Sequence, residues 1–256
     1  MVLLRFLIAL LLAGLSLPSS AAEPDRPKPL VVMVETDPWL MVIGSDSPAF
    51  ALYDNGDLIY WRDEGYRFVH LERDATDALV QSMHLDAAAG KKGSFETSDA
   101  TDQPEHYFFV FDRDPAWAIR VYGQMARSGT KLDGPLHSRD VPPEVQTLYD
   151  AIATFDDPEA RDWLPEKVEV MIWPYDYAPD ASIHWPADWP GLDAPDTRKR
   201  QEDSYSLFVP SDKMAELRAF LSTRKEKGAV EIGGKKWAVS LRLPFPGEEK
   251  WMGGGE

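Results

Sequence analysis

Residues 48–61 read Pro-Ala-Phe-Ala-Leu-Tyr-Asp-Asn-Gly-Asp-Leu-Ile-Tyr-Trp. Two runs of aromatic and aliphatic residues flank the dipeptide Asn55-Gly56, and both residues of that dipeptide tolerate a positive φ. The stretch therefore predicts a β-hairpin with a turn in which both central residues have a positive φ. Residues 66–71 follow after a short polar break and predict a third antiparallel strand beside the hairpin.

Short strands and amphipathic helices are predicted along the rest of the chain, without a regular strand–helix–strand rhythm. We predict strands at 30–34, 39–43, 106–112, 117–122, 167–173, 205–209, 229–232 and 236–243, and helices at 74–85, 142–155 and 211–225. Residues 88–104 and 174–198 are predicted to be loops. This order favours an α+β fold, an antiparallel-rich sheet with a few helices packed on it.

The N-terminus has the three parts of a secretory signal peptide. Arg5 precedes an apolar run over residues 6–17, and small residues follow up to Ala22. The run is short for a membrane-spanning helix, which needs about 20 apolar residues, although an uncleaved anchor remains the alternative. We therefore predict a signal peptide over 1–22 and a periplasmic or secreted protein.

The predicted mature chain has three parts. Residues 23–29 are rich in proline and charge and predict a disordered leader. Residues 30–250 are long enough to bury one sizeable core, and they predict a single globular domain, with a subdivision near residue 160 left open. Residues 251–256 predict a flexible tail.

Two segments carry a resemblance. Residues 48–60, and residues 164–170 with the pair Trp185-Pro186, resemble parts of exported bacterial proteins of unknown function. The likeness covers about a third of the chain. Many of those proteins are lipoproteins, and this chain departs from them because it has no Cys. The resemblance implies a cell-envelope location and no particular activity.

The composition excludes several classes of function. The chain has no Cys, so disulfides, thiolate metal sites and cysteine nucleophiles are excluded. The net charge of −16 disfavours binding to nucleic acid and to anionic membranes. Residues 198–250 are the exception, with 12 basic against 8 acidic residues. This basic region is interpreted as a solvated face or as a surface for an acidic partner.

No catalytic or cofactor-binding motif stands out. The sequence has no nucleophile elbow, zinc-protease helix or glycine-rich phosphate loop. Its five histidines lie far apart in sequence without ligand-like spacing. We therefore predict no cofactor, no metal site and no catalytic residue, although distant residues can still be assembled by the fold.

One segment stands out as a candidate binding surface. The predicted loop over 174–198 and the residue before it are rich in Pro and aromatic residues, with acidic residues interleaved. Such a surface suits a protein partner or a glycan, whereas the alternative is that the aromatic side chains fasten the loop to the sheet. The candidate binding residues are Trp173, Tyr175, Tyr177, His184, Trp185 and Trp189.

These observations favour a non-enzymatic binding or interaction protein of the bacterial cell envelope. Its partner is expected to be an envelope protein or a glycan. Two alternatives stay open. One is a hydrolase that uses carboxylates on envelope polymers. The other is an inhibitor or immunity protein for a basic toxin, which an acidic protein would attract electrostatically.

Overall fold

A computed structural model describes residues 27–132, 138–201 and 203–252. The predicted signal peptide, most of the predicted leader, His137 and the last four residues lie outside the described residues. Within the described part of the chain, no helix is both long enough and apolar enough to cross a bilayer.

The first half of the chain forms an eight-stranded sheet, sheet 1, in the order β5-β7-β6-β1-β2-β3-β4-β8. Its neighbouring strands are antiparallel except for β5 and β7, which are parallel. The strands are β1 Pro29–Thr36, β2 Pro48–Tyr53, β3 Asp57–Arg62, β4 Gly65–His70, β5 Gly93–Glu96, β6 Glu105–Val110, β7 Trp117–Tyr122 and β8 Arg161–Asp162. The helices of this half are α1 Arg73–Ser82, α2 Leu85–Ala89 and α3 Pro143–Thr154.

The second half forms a six-stranded sheet, sheet 2, in the order β10-β13-β14-β9-β12-β11. Only β10 and β13 run parallel. The strands are β9 Lys167–Pro174, β10 Asp180–His184, β11 Arg198–Gln201, β12 Ser204–Pro210, β13 Gly228–Ile232 and β14 Lys235–Arg242. A 3₁₀ turn over Ser211–Lys213 leads into α4 Met214–Ser222, and the short helix α5 Glu249–Met252 ends the described chain.

The alternating side chains of β1 separate two hydrophobic clusters. Val31 and Met33 face a cluster that also contains residues of α1, α2 and α3. Val32 faces the opposite side of sheet 1, in a cluster that includes strands of sheet 2, helix α4, Phe245 and Trp251. Because this second cluster contains residues of both sheets, the two halves share one hydrophobic core.

The central hairpin is confirmed, but its turn differs from the prediction. A three-residue connection joins β2 to β3, and only Gly56 has a positive φ, at 87°. A left-handed residue at the end of such a loop is common in hairpins with a bulge. A Cβ atom on Gly56 would lie 2.2 Å from the carbonyl oxygen of Leu71, so glycine is required here for space as well as for conformation.

The α+β fold class with antiparallel-rich sheets is confirmed, but the strands form two sheets rather than one. The predicted strand over 39–43 is wrong, because this segment forms turns between Pro38 and Gly44. The predicted loops over 88–104 and 174–198 contain β5 and β10, which add to sheet edges by parallel pairing. Trp251, predicted to begin a flexible tail, is buried in the shared core.

Candidate functional site

A cleft of about 910 Å³ opens at one end of sheet 1. On one side it is bordered by the end of β1, by residues 102–104 before β6 and by residues of β3 and β4. On the other side it is bordered by α4 and by β14 with the residue that follows it. The lining comprises Glu35, Thr36, Asp37, Pro38, Trp39, Leu40, Ser45, Asp46, Ser47, Trp61, Tyr66, Asp102, Gln103, Pro104, Gln124, Met214, Arg218, Leu241 and Leu243.

One wall of the cleft is the loop over residues 37–47, which is fixed at both ends and in its middle. The backbone N–H of Asp37 donates to the Asp46 carboxylate at 2.9 Å and closes the loop. In the middle, the backbone N–H of Val42 donates to Ser240 Oγ at 3.0 Å, and the Val42 side chain is buried against sheet 2. This wall is therefore held in place by sheet 2 and by its own side chains, which favours a preformed site.

Large apolar side chains are exposed along this wall and opposite it. Trp39 and Ile43 on the loop are 74% and 76% exposed, and Trp61 on β3 is 46% exposed. Trp61 packs edge-on against Tyr66 with ring centroids 4.9 Å apart, so one face of the cleft is aromatic. Trp39 and Trp61 both line the cleft, and exposed large apolar groups at a cavity are typical of surfaces that bind a partner.

The charge of the cleft is strongly one-sided. Four carboxylates and one guanidinium belong to its described lining: Glu35, Asp37, Asp46, Asp102 and Arg218. Burial raises the pKa of Glu35, and repulsion from the carboxylates of Asp37 and Asp46 raises it further. Burial also raises the pKa of Asp46, although backbone hydrogen bonds and Arg242 offset part of this effect. Four carboxylates thus share the lining with one guanidinium, and a bound cation would offset this excess of negative charge.

A buried histidine lies directly behind Glu35. His106 on β6 is 2% exposed, and its Nδ1 atom lies 3.8 Å from the Glu35 carboxylate. Burial lowers the pKa of His106 to about 4, and a contact with the backbone of Gly123 offsets only part of that shift. Neither ring nitrogen has a hydrogen bond of acceptable geometry within the described chain. The ring is thus neutral near pH 7 and does not compensate the charge of Glu35.

None of the six predicted binding residues lines this cleft. Trp185 and Trp189 pack edge-on against each other at 5.0 Å, and both contact Phe220 of α4. The Trp185 Nε1–H donates to the carbonyl of Pro190 at 3.1 Å. These contacts agree with the alternative interpretation of the segment, in which its aromatic side chains fasten it to the sheet.

The other four predicted residues lie apart from this pair. Trp173 and Tyr175 pack beside Val42 on the opposite face of sheet 2. Tyr177 is exposed, and its ring packs edge-to-face with the ring of Tyr175. His184 ends β10 at the edge of sheet 2, with Nδ1 3.6 Å from the Glu231 carboxylate. The structure therefore distributes the six residues over separate surfaces, and their role in binding stays a prediction.

The sequence reasoning missed the residues that line the cleft. Glu35 lies at the end of a strand, and Asp37 and Trp39 stand on either side of Pro38 just after it. Polar and aromatic residues at a strand end, next to a proline that stops the strand, are a signal of a site loop. Among the described residues, no group of three or more His, Asp or Glu converges as a metal ion requires.

The chain was compared with protein-family models, curated proteins and solved structures. No protein-family model, no curated protein and no solved structure matches it.

Proposed function

We propose that this protein is a non-enzymatic binding protein of the bacterial cell envelope and that its cleft receives a basic segment of a partner protein. The observation that carries the proposal is the pair Glu35 and Asp46, two carboxyls with raised pKa values in an aromatic cleft. A lysine or arginine side chain would neutralise them and could lie on the face of Trp61 or Tyr66. An uncharged sugar would leave the repulsion between the carboxylates in place.

The apolar surface beside the cleft supports a macromolecular ligand over a small cation. Trp39 and Ile43 extend the apolar surface along the exposed side of the 37–47 loop. A free amine that filled the cleft would leave these two side chains in water, whereas a protein partner would cover them. An inhibitor of a basic enzyme or toxin is one form that such an interaction would take, because opposite net charges speed association.

The same carboxyls favour a second candidate, a hydrolase of envelope polymers. A carboxyl with a raised pKa can donate a proton near neutral pH, and a neighbouring carboxylate can act as base or nucleophile. Turnover of purified peptidoglycan that is lost in the Glu35→Gln variant would establish this candidate. Absence of turnover by the wild-type protein, together with peptide binding, would reject it.

Selection of peptides from a random library tests the binding proposal. The chain over residues 23–256 is immobilised and exposed to phage-displayed random octapeptides. We expect the retained peptides to be enriched in Lys and Arg and depleted in Asp and Glu. The double variant Glu35→Gln/Asp46→Asn should retain them at least about tenfold less, because it removes two charge partners of the basic side chain, and a tenfold loss corresponds to about 1.4 kcal/mol.

A matched control separates the cleft from the overall charge of the protein. Asp176 and Asp188 are exposed and lie outside the cleft, and the variant Asp176→Asn/Asp188→Asn changes the net charge by the same amount. This variant should retain the peptides as the wild type does. Equal retention by the wild type and both variants, or a library without basic enrichment, would refute the proposal.

The cleft carboxyls are also expected to cost stability. Because the pKa of Glu35 is raised in the folded state, stability falls as the pH rises through that pKa. The Glu35→Gln variant should therefore melt about 1–3 °C higher than the wild type at pH 7.5, a small gain because the side chain is half-exposed. The difference should disappear near pH 4, where the wild-type carboxyl is protonated. Calorimetry at both pH values measures it, and a lower Tm for the variant at pH 7.5 would contradict the prediction.

A further inference from the structure

A second cavity adjoins the acidic cleft. It measures about 290 Å³, and Thr36 and Asp46 line both cavities. Its remaining lining residues are Val34, Gly44, Tyr107, Phe109, Arg242, Trp251 and Met252. Two residues are common to both linings, so the two cavities lie next to each other.

The chemistry of the second cavity differs from that of the cleft. Val34, Phe109, Trp251 and Met252 provide apolar walls, and the rings of Tyr107 and Phe109 are stacked in parallel at 5.9 Å. Its volume lies just below the range for small-ligand sites, which is about 300–1,000 Å³. The cavity therefore suits one large apolar side chain rather than a second charged group.

One buried polar atom of a residue beside this cavity lacks a partner. Arg242 is 2% exposed, and its Nε–H has no acceptor within the described chain, although its two Nη atoms are held by Glu169 and Glu248. A buried donor without an acceptor is uncommon in folded proteins.

From these observations we infer that the partner segment carries two anchors, a Lys or Arg followed or preceded within two residues by a large apolar residue. The inference rests on the proposed function and adds the sequence of its ligand. The basic side chain lies in the acidic cleft beside Glu35 and Asp46, and the apolar side chain enters the second cavity.

Titration calorimetry with the most enriched library peptide tests this inference. Replacing the apolar residue of the peptide by Ala should weaken binding at least about tenfold, because burial of a large apolar side chain supplies that much affinity. Replacing its basic residue by Gln should weaken binding by a similar factor.

Two protein variants locate the apolar anchor. Val34→Phe fills the second cavity from sheet 1, and Met252→Trp fills it from the chain end, so that one of them remains informative if the other does not fold. A folded variant should bind the parent peptide about tenfold more weakly, yet it should bind the Ala-substituted peptide as the wild type does.

The outcomes separate this inference from the proposed function. If basic peptides are selected but their apolar residues contribute no affinity, or if a folded, filled variant binds the parent peptide normally, the inference is wrong and the proposed function stands. If no basic peptide is selected, both are wrong.

Discussion

Replacing Trp185 and Trp189 together by alanine is expected to lower the free energy of unfolding by about 3–5 kcal/mol. The two indole rings pack edge-on against each other and against Phe220, and they belong to the core that both sheets share. Their removal deletes these contacts and the hydrogen bond from Trp185 to the carbonyl of Pro190. The side chain of Phe220 on α4 would also become more exposed to solvent.

Denaturant unfolding of the double variant measures this loss, and Trp39→Ala is the matched control. Trp39 is the same residue type but 74% exposed on the wall of the cleft, so its removal should change stability by less than about 0.5 kcal/mol. Peptide binding should show the opposite order: Trp39→Ala should weaken it more than the double variant does, since Trp39 lies at the proposed site. A double variant as stable as the wild type would show that the aromatic segment is not part of the core.

Local signals in the sequence were sufficient for most of the strands and helices. The Asn55-Gly56 dipeptide between two apolar runs predicts the hairpin, because turn chemistry acts over a few residues. Pro143 similarly marks the start of α3. The division into two sheets was not predictable in this way, because strand pairing between distant segments depends on the whole core. The same holds for β5 and β10, which join their sheets only through parallel pairing with strands far away in sequence.

The site was harder to predict than the fold, since the cleft is assembled from six separated segments, four of which carry its charged and aromatic side chains. Glu35 and Trp39 leave β1, Trp61 ends the hairpin, Asp102 precedes β6, and Arg218 lies on α4. No spacing rule links these positions. The many aromatic residues of the segment over 173–189 predicted a binding surface, but two of them, Trp185 and Trp189, pack inward against the core. Local composition thus identifies a segment with many aromatic residues. Only the burial of each side chain shows whether it packs in the core or is exposed for binding.

Replacing Arg242 by methionine is expected to lower the free energy of unfolding by about 3–5 kcal/mol. The guanidinium is 2% exposed and lies between two carboxylates, with Nη1 2.5 Å from Glu169 and 3.1 Å from Glu248. Methionine has a similar length, so the variant leaves little empty volume. The cost instead comes from Glu169, which is also buried and would keep a hydrogen bond from Ser206 but lose its closest cation.

Two further variants test whether the lost charge partner is the cause. Arg200→Met removes a more exposed cation that lies 3.8 Å from the same Glu169 carboxylate, and it should cost less than about 1 kcal/mol. Adding Glu169→Gln to Arg242→Met removes the uncompensated carboxylate and should recover about half of the lost stability. Urea unfolding of all the variants provides the comparison. If Arg242→Met costs no more than Arg200→Met, or if Glu169→Gln recovers nothing, the ion pair between Glu169 and Arg242 on the neighbouring strands β9 and β14 does not stabilise sheet 2.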